Sequence, residues 1–239
     1  MSMAAPAPRT ALVTGGAKGI GAGIAGRLAT DGWRVIVADR DPAGAAPAGG
    51  RYVVCDVGEE ASVAALVGSI AVAEQRLDAL VCNAGFMIRK PLGALSLAEW
   101  SAVLTTNLTS TFLLVRAAEV LLRAAKGAVV TIASSRARMS EPNTESYSAS
   151  KGGLVALTHA LAVSLGPDIR VNCISPGWIL TKGPEPTEQE HAFHPAGRVG
   201  RAEDIAALAA FLVGQESGFI TGAEFVVDGG VTRKMIYPD

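Results

Sequence analysis

The chain has 239 residues, 49% of them hydrophobic, and a formal net charge of −1. Such a length supports one large domain with a sizeable core, so residues 1–239 are expected to form a single domain. The near-zero charge gives no basis for binding nucleic acid or an anionic membrane, and no stretch reaches the ~20 apolar residues of a spanning helix.

The first short apolar run, Ala11–Thr14, opens on Thr14-Gly15-Gly16-Ala17-Lys18-Gly19-Ile20-Gly21 and a helix pattern over Ile20–Thr30. Glycines between a buried strand and a helix allow a tight turn, and the new helix points free N–H groups and its positive dipole end at a pyrophosphate. Gly15, Lys18, Gly19, Ile20 and Gly21 are therefore candidate cofactor contacts. A bare glycine pattern also fits an ordinary surface turn; its position between strand and helix favours the phosphate reading.

The second run, Arg34–Ala38, ends at Asp39-Arg40. An acidic group here can accept hydrogen bonds from the adenosine-ribose hydroxyls and would repel a 2′-phosphate, which favours NAD over NADP. Lys18 and Arg40 pull the other way, since each could pair with that phosphate. Asp39 is weighted more heavily, with Arg40 either solvated or stacked on adenine. Residues 41–50 carry two prolines and three glycines, so the helix expected before the third strand is reduced to a loop.

The third run, Tyr52–Cys55, precedes Asp56-Val57 and a helix over Glu59–Gln75. The fourth, Leu77–Cys82, precedes Asn83-Ala84-Gly85. A helix over Leu97–Ala125 follows, begun by a Ser96/Glu99 capping box and containing Asn107. The fifth strand, Ala128–Ala133, runs into Ser134. A helix over Tyr147–Leu165 then brings Tyr147 and Lys151 onto one face, four residues apart. A nearby ammonium would lower a phenol pKa from its usual ~10, which fits Tyr147 to exchange a proton with an alcohol or ketone. Ser134 could donate to the carbonyl oxygen as charge develops there. The sixth run, Ile169–Ile174, leads to Pro176-Gly177-Trp178-Ile179-Leu180-Thr181. A substrate loop over about 178–198, mobile over Pro184–Pro195, a helix over Ala202–Val213 and a last strand, Ala223–Val227, complete the pattern. His191 and His194 have no cysteine or carboxylate set beside them at ligand spacing, so no metal is expected. His159 reads as a packing or interface residue.

Runs that are apolar on successive residues, alternating with helices, describe an α/β fold with a parallel sheet buried on both faces. Cys55, Cys82 and Cys173 each sit in or at the end of such a run. They read as buried free thiols of a reducing compartment, so the cytoplasm is the expected location.

Taken in order, Thr14-Gly15-x-x-x-Gly19-x-Gly21, Asp56-Val57, Asn83-Ala84-Gly85, Asn107, Ser134, Tyr147, Lys151, Pro176-Gly177-x-x-x-Thr181 and Asp228-Gly229-Gly230 resemble the short-chain dehydrogenase/reductase family in its compact form. The resemblance spans about Thr10 to Gly230. It implies a Rossmann-type doubly wound sheet of seven strands in the order 3-2-1-4-5-6-7, helices on both faces, and ligands at the carboxyl ends of the strands. It further implies that Asp56 and Val57 flank the adenine. Asn83, Ala84 and Gly85 would brace the sheet and line the cleft, and Pro176, Gly177, Ile179 and Thr181 would hold the nicotinamide carboxamide. Lys151 would also hold the nicotinamide ribose, and Asn107 would kink its helix and hold a water. Arg136, Arg138, Glu141, Trp178 and His191 fall where the substrate would sit; the arginines could take a carboxylate, a phosphate or a polar sugar, or could be solvated. The family's doubled asparagine before Ala84 is here Cys82-Asn83, which is expected to alter sheet packing. A homotetramer is implied, with Leu97–Ala125 and Tyr147–Leu165 in the interface and the apolar tail residues Met235, Ile236 and Tyr237 reaching a neighbour.

The function this implies is hydride transfer between NAD(H) and a small polar secondary alcohol or ketone, sugar- or polyol-like. Two other readings stand beside it: an NADPH-dependent ketoacyl- or pteridine-type reductase, and a non-catalytic NAD-sensing or scaffold protein.

Overall fold

The computed structural model describes residues 8–235; Ile236 and Tyr237 of the apolar tail lie outside that range. The elements in chain order are β1 (Thr10–Thr14), α1 (Gly19–Thr30), β2 (Arg34–Asp39), β3 (Arg51–Val54), α2 (Glu60–Ala73), β4 (Ala79–Cys82), α3 (Leu97–Leu104), α4 (Ser110–Ala125), β5 (Ala128–Ile132), α5 (Glu145–Leu165), β6 (Arg170–Pro176), β7 (Ile179–Leu180), α6 (Glu188–Ala192), β8 (Gly200–Arg201), α7 (Ala202–Val213) and β9 (Glu224–Val227). Seven strands form a parallel sheet in the order β3-β2-β1-β4-β5-β6-β9. Counting only the strands of that sheet, this is the expected order. The pair of β7 with β8 was not foreseen, since each strand is only two residues long.

Strand side chains alternate faces, so one apolar run feeds two cores. Leu12, Ile36, Leu80, Val129 and Val171 pack against α2, α4 and α5 through Leu66, Ile70, Leu114, Leu122 and Leu165. Val13, Val37, Val81 and Val130 face the other way, onto Ile24 and Leu28 of α1 and Ile205 and Leu212 of α7. A Cβ on Gly23 would come within 2.8 Å of the Ala202 Cβ, so a larger residue there would force α1 away from the start of α7.

The connection from β2 to β3 contains no helix, as its prolines and glycines predict. Ala46 and Tyr52 instead pack on the edge of the α1/α7 core, and the Tyr52 hydroxyl donates to the Asp41 carbonyl. The helix expected over Leu97–Ala125 is interrupted: residues Thr105–Thr109 form a π-helical turn around Asn107. The substrate segment also departs from a plain mobile loop. Thr187 and Glu190 form a capping box that starts α6.

Candidate active site

The carboxyl ends of β1, β2, β4, β5 and β6 open into one cleft of about 1220 Å³. Its floor begins with the turn after β1. Gly15 (φ +63°) and Gly19 (φ +58°) lie in the left-handed region, where a side chain costs roughly 1–2 kcal/mol. A Cβ on Gly15 would also sit 2.7 Å from the Ala84 Cα. Lys18 caps α1 without a side-chain hydrogen bond, so the first-turn amides keep their donors for a ligand. Gly21 differs from the other turn residues expected at the cofactor. It does not line the cleft; a Cβ there would collide with the Gly15 carbonyl and the Asn83 amide, so it keeps the turn tight.

Asn83 ties the two central strands together. Its Nδ2 donates to the carbonyls of Thr14 and Gly15, both at 3.0 Å, and its backbone N–H donates to Thr14 Oγ1 at 3.1 Å. Asp39 braces the same turn: Oδ2 accepts from Ala17 N–H and Oδ1 from Asp41 N–H, each at 3.1 Å. Each carboxylate oxygen retains a lone pair for a ribose hydroxyl. The Arg40 guanidinium carbon lies 5.9 Å from the Phe86 ring centroid. Arg40, Phe86, Asp56, Val57, Ala84, Gly85, Pro176, Gly177, Ile179 and Thr181 line the rest of this side. A glycine turn with no room for side chains, an uncapped helix start and a carboxylate at the end of β2 fit a dinucleotide.

The other side is built from side chains. The π turn places Asn107, fully buried, so that its Oδ1 accepts from Phe86 N–H at 2.9 Å. Its Nδ2 donates to the Phe86 carbonyl at 2.9 Å and to Ser150 Oγ at 3.0 Å. This links the loop after β4 to the helix carrying Tyr147 and Lys151; the extra residue of a π turn is what re-aims the side chain. Lys151, 4% exposed, donates from Nζ to the Ile132 carbonyl at 2.7 Å, and Nζ lies 5.5 Å from the Tyr147 ring centroid. Burial lowers the Lys151 pKa to about 8, against a smaller opposing effect of Cys173. Burial raises the Tyr147 phenol, opposed by a hydrogen bond with Ser134 and by the charge of Arg136. Desolvation is the largest influence on this phenol, and Ser134 and Arg136 counter it.

Arg136 lines the cleft two residues beyond Ser134, and its backbone N–H donates to Ser134 Oγ at 3.2 Å. Glu141 and Trp178 also line it. Arg138 and His191 do not, and both expectations are corrected. Arg138 is turned away and bound to Glu224 at the start of β9, with Nε to Oε2 at 2.8 Å, while Ser175 holds the other oxygen at 2.7 Å. His191 faces the loop, where Nδ1 accepts from Val199 N–H at 3.1 Å. His194, 3% exposed, lines the cleft instead, its ring centroid 6.0 Å from that of Trp178. The Thr187-x-x-Glu190 cap was the available signal, since it sets the phase of α6 and hence which histidine turns inward. Met87, Met139 and Phe193 also line the cleft and carry no sequence signal of their own.

The family model described as enoyl-(acyl carrier protein) reductase matches residues 15–232. An uncharacterized oxidoreductase of Thermotoga maritima is 44% identical, the match covering 97% of this chain and 98% of that protein. D-threitol dehydrogenase of Mycolicibacterium smegmatis is 38% identical, over 95% and 94% of the two chains. Among solved structures, an apo SCOR enzyme from Clostridium thermocellum superposes with a TM-score of 0.89 at 39% identity, over 96% of this chain and 95% of that one.

Proposed function

The chain belongs to the short-chain dehydrogenase/reductase family and is an oxidoreductase acting on hydroxyl or keto groups; from that premise we propose that it moves hydride between NAD(H) and a small polar secondary alcohol or ketone, sugar- or polyol-like, with Tyr147 as the acid/base. The observation that carries this is the meeting of Ser134, Tyr147 and Lys151 in the cleft whose opposite side is the glycine turn. When bound, the nicotinamide would supply or accept the hydride. Gly15, Lys18, Gly19 and Ile20 would hold its pyrophosphate, Asp39 the adenosine ribose, Asp56 and Val57 the adenine, and Pro176, Gly177, Ile179 and Thr181 the carboxamide.

The residues divide the remaining work. Ser134 donates to the substrate oxygen and polarises it. Tyr147 takes the hydroxyl proton in oxidation and returns it in reduction. Lys151, held by the Ile132 carbonyl, is a fixed positive charge beside the phenol. Asn107 positions the segment above them through Phe86 and Ser150.

NAD is preferred to NADP because the Asp39 carboxylate, fixed by two backbone amides, meets a 2′-phosphate with like charge. The relation to a D-threitol dehydrogenase supports a polyol-like substrate. The two cores share one sheet, in keeping with a single domain. Exposed Phe112 and Val120 on α4 and Val163 on α5 support a homotetramer closed through those helices, and three buried free cysteines suit the cytoplasm. Among the described residues no helix is long and apolar enough to cross a membrane.

The test is NAD+ and NADP+ reduction over a panel of polyols, aldoses and hydroxy acids. Turnover with NAD+ on at least one polar secondary alcohol is expected; activity confined to NADP+, or to hydroxyacyl thioesters, would replace this reading with the ketoacyl-reductase one.

A further inference from the structure

Arg136 is a cleft cation to which the proposed reaction assigns no ligand. Lys18 and Arg40 stand at the turn after β1 and the end of β2, and Lys151 donates to the Ile132 carbonyl beside Tyr147. The Arg136 side chain is only 21% exposed. Its Nη2 pairs with Glu141 Oε1 at 2.6 Å, whereas Nη1 is buried without any hydrogen-bond partner. A charged donor left unmatched in a protein interior carries a desolvation cost that a bound anion would remove.

The surroundings define the anion. Arg89 pairs with the second oxygen of the same Glu141, so two guanidiniums share one carboxylate. The cluster therefore carries one net positive charge, which matches a monoanion and leaves a phosphate dianion overcompensated. The planar fork of a guanidinium also suits a carboxylate. The neighbouring walls Met87, Met139, Trp178 and Phe193 are apolar, with His194 packed on the last two and Lys234 Nζ 5.1 Å from the Phe193 ring. Arg136 is moreover close enough to lower the Tyr147 pKa, so an anion on it would lie beside the reacting centre.

We propose that the substrate carries a carboxylate, bound by the buried Nη1 edge of Arg136, so that the enzyme interconverts a small hydroxy acid and the matching oxo acid. In the oxidative direction the carbinol C–H leaves as hydride to the oxidised cofactor and the hydroxyl proton passes to Tyr147; the carboxylate is bound and unchanged. The proposal rests on the hydride-transfer reading above and replaces its sugar- or polyol-like substrate with a hydroxy acid.

The experiment has a binding arm and a turnover arm, both on the full chain. Butyrate, butyramide and inorganic phosphate are titrated into the complex with reduced cofactor, read by the fluorescence of the bound nicotinamide. Kinetics are then measured for 2-, 3- and 4-hydroxybutyrate, each against its amide, with erythritol and xylitol as neutral alcohols. Butyrate should bind about tenfold or more tightly than butyramide, and the best hydroxy acid should exceed its amide in kcat/KM by a similar factor. In Arg136→Gln both ratios should fall to near one, through KM more than kcat, and Arg136→Lys should recover part of the loss. Unchanged cofactor affinity in both variants would show that the fold is intact. Equal binding of butyrate and butyramide, phosphate binding more tightly than butyrate, or ratios indifferent to Arg136→Gln would overturn the proposal. Oxidation of the neutral polyols alone would overturn it while leaving the dehydrogenase reading in place. Absence of all turnover alongside selective butyrate binding would leave the carboxylate site at Arg136 standing and overturn the hydride-transfer reading, and with it the hydroxy-acid reaction.

Discussion

The side of the cleft proposed for the cofactor is made mostly of backbone, and the side proposed for the substrate mostly of side chains. On the first, Gly15 and Gly19 adopt conformations that exclude other residues, Gly21 leaves no room for a Cβ, and Asn83 and Asp39 are engaged with main-chain groups of the turn. On the second, Lys151 is a buried ammonium, Tyr147 a half-buried phenol and Arg136 a guanidinium with an unmatched edge. Backbone sites are rigid and general, as a common dinucleotide requires. Polar side chains held in desolvated places cost stability but supply reactivity and selectivity. The contrast predicts that changes on the first side alter affinity and folding, while changes on the second alter rate and choice of substrate, even at a gain in stability.

The largest separation of these effects is expected at Lys151. Lys151→Met should lower kcat by about a hundredfold or more, since it removes a fixed charge beside the phenol. Its stability effect has the opposite sign. The folded-state pKa of about 8 lies below the ordinary 10.5, so between those values the unfolded chain binds more protons and stability rises with pH. Below about 8 the charged, buried ammonium costs roughly 3 kcal/mol, offset by roughly 1 kcal/mol from its hydrogen bond to Ile132. Urea melts at pH 7 should therefore find Lys151→Met the more stable by roughly 2 kcal/mol, with most of that advantage gone by pH 9.5. Equal stabilities at pH 7 would mean the ammonium is better solvated than its burial implies.

Gly15→Ala is the corresponding test of the backbone side. A left-handed alanine pressed on Ala84 should cost about 2 kcal/mol of stability and weaken the dinucleotide while leaving substrate preference unchanged. A normal melting curve with intact cofactor affinity would remove the argument for a backbone-built site. A smaller effect is expected at Asp39. Asp39→Asn keeps the shape and removes the charge, so the NADP+/NAD+ ratio of kcat/KM should rise about tenfold. An unmoved ratio would place cofactor choice elsewhere, with Lys18 and Arg40 the next residues to change. The smallest effects belong to Arg138→Gln and His191→Ala, whose side chains are engaged with Glu224 and Val199 outside the cleft. Each should change kcat/KM by less than about threefold, in the range of substitutions away from a site.

The same contrast explains what could be read from the amino-acid order. The sheet was legible because runs such as Ala11–Thr14 and Ala128–Ala133 are apolar on consecutive residues, which only strands buried on both faces require. The loop between β2 and β3 was legible because Pro42, Pro47 and Gly44 cannot sustain a helix. The glycine turn was legible because backbone geometry dictates the residue. The substrate side was less so. Arg136 and Arg138 are two residues apart on one short turn, and nothing local to them says that Glu224, 86 positions away, captures one of the two. The choice between His191 and His194 depended on where α6 begins, which the Thr187/Glu190 cap encodes but a loop reading hides. The π turn at Asn107 has no compositional mark; it is held by Phe86 and Ser150, contacts that exist only in the folded chain.

The central claim is that Tyr147 exchanges the proton, and its most direct test is the pH profile of kcat/KM for wild type and Tyr147→Phe on a substrate found in the panel. In the wild type, oxidation should rise as pH increases from 7 to 9 while reduction stays level, because desolvation holds the phenol above its ordinary range: it remains protonated and able to donate throughout, and only its growing deprotonated fraction can accept. Tyr147→Phe should lose about a hundredfold to ten-thousandfold in both directions, with cofactor affinity retained. A Tyr147→Phe enzyme that keeps its rate and its pH profile would contradict the account.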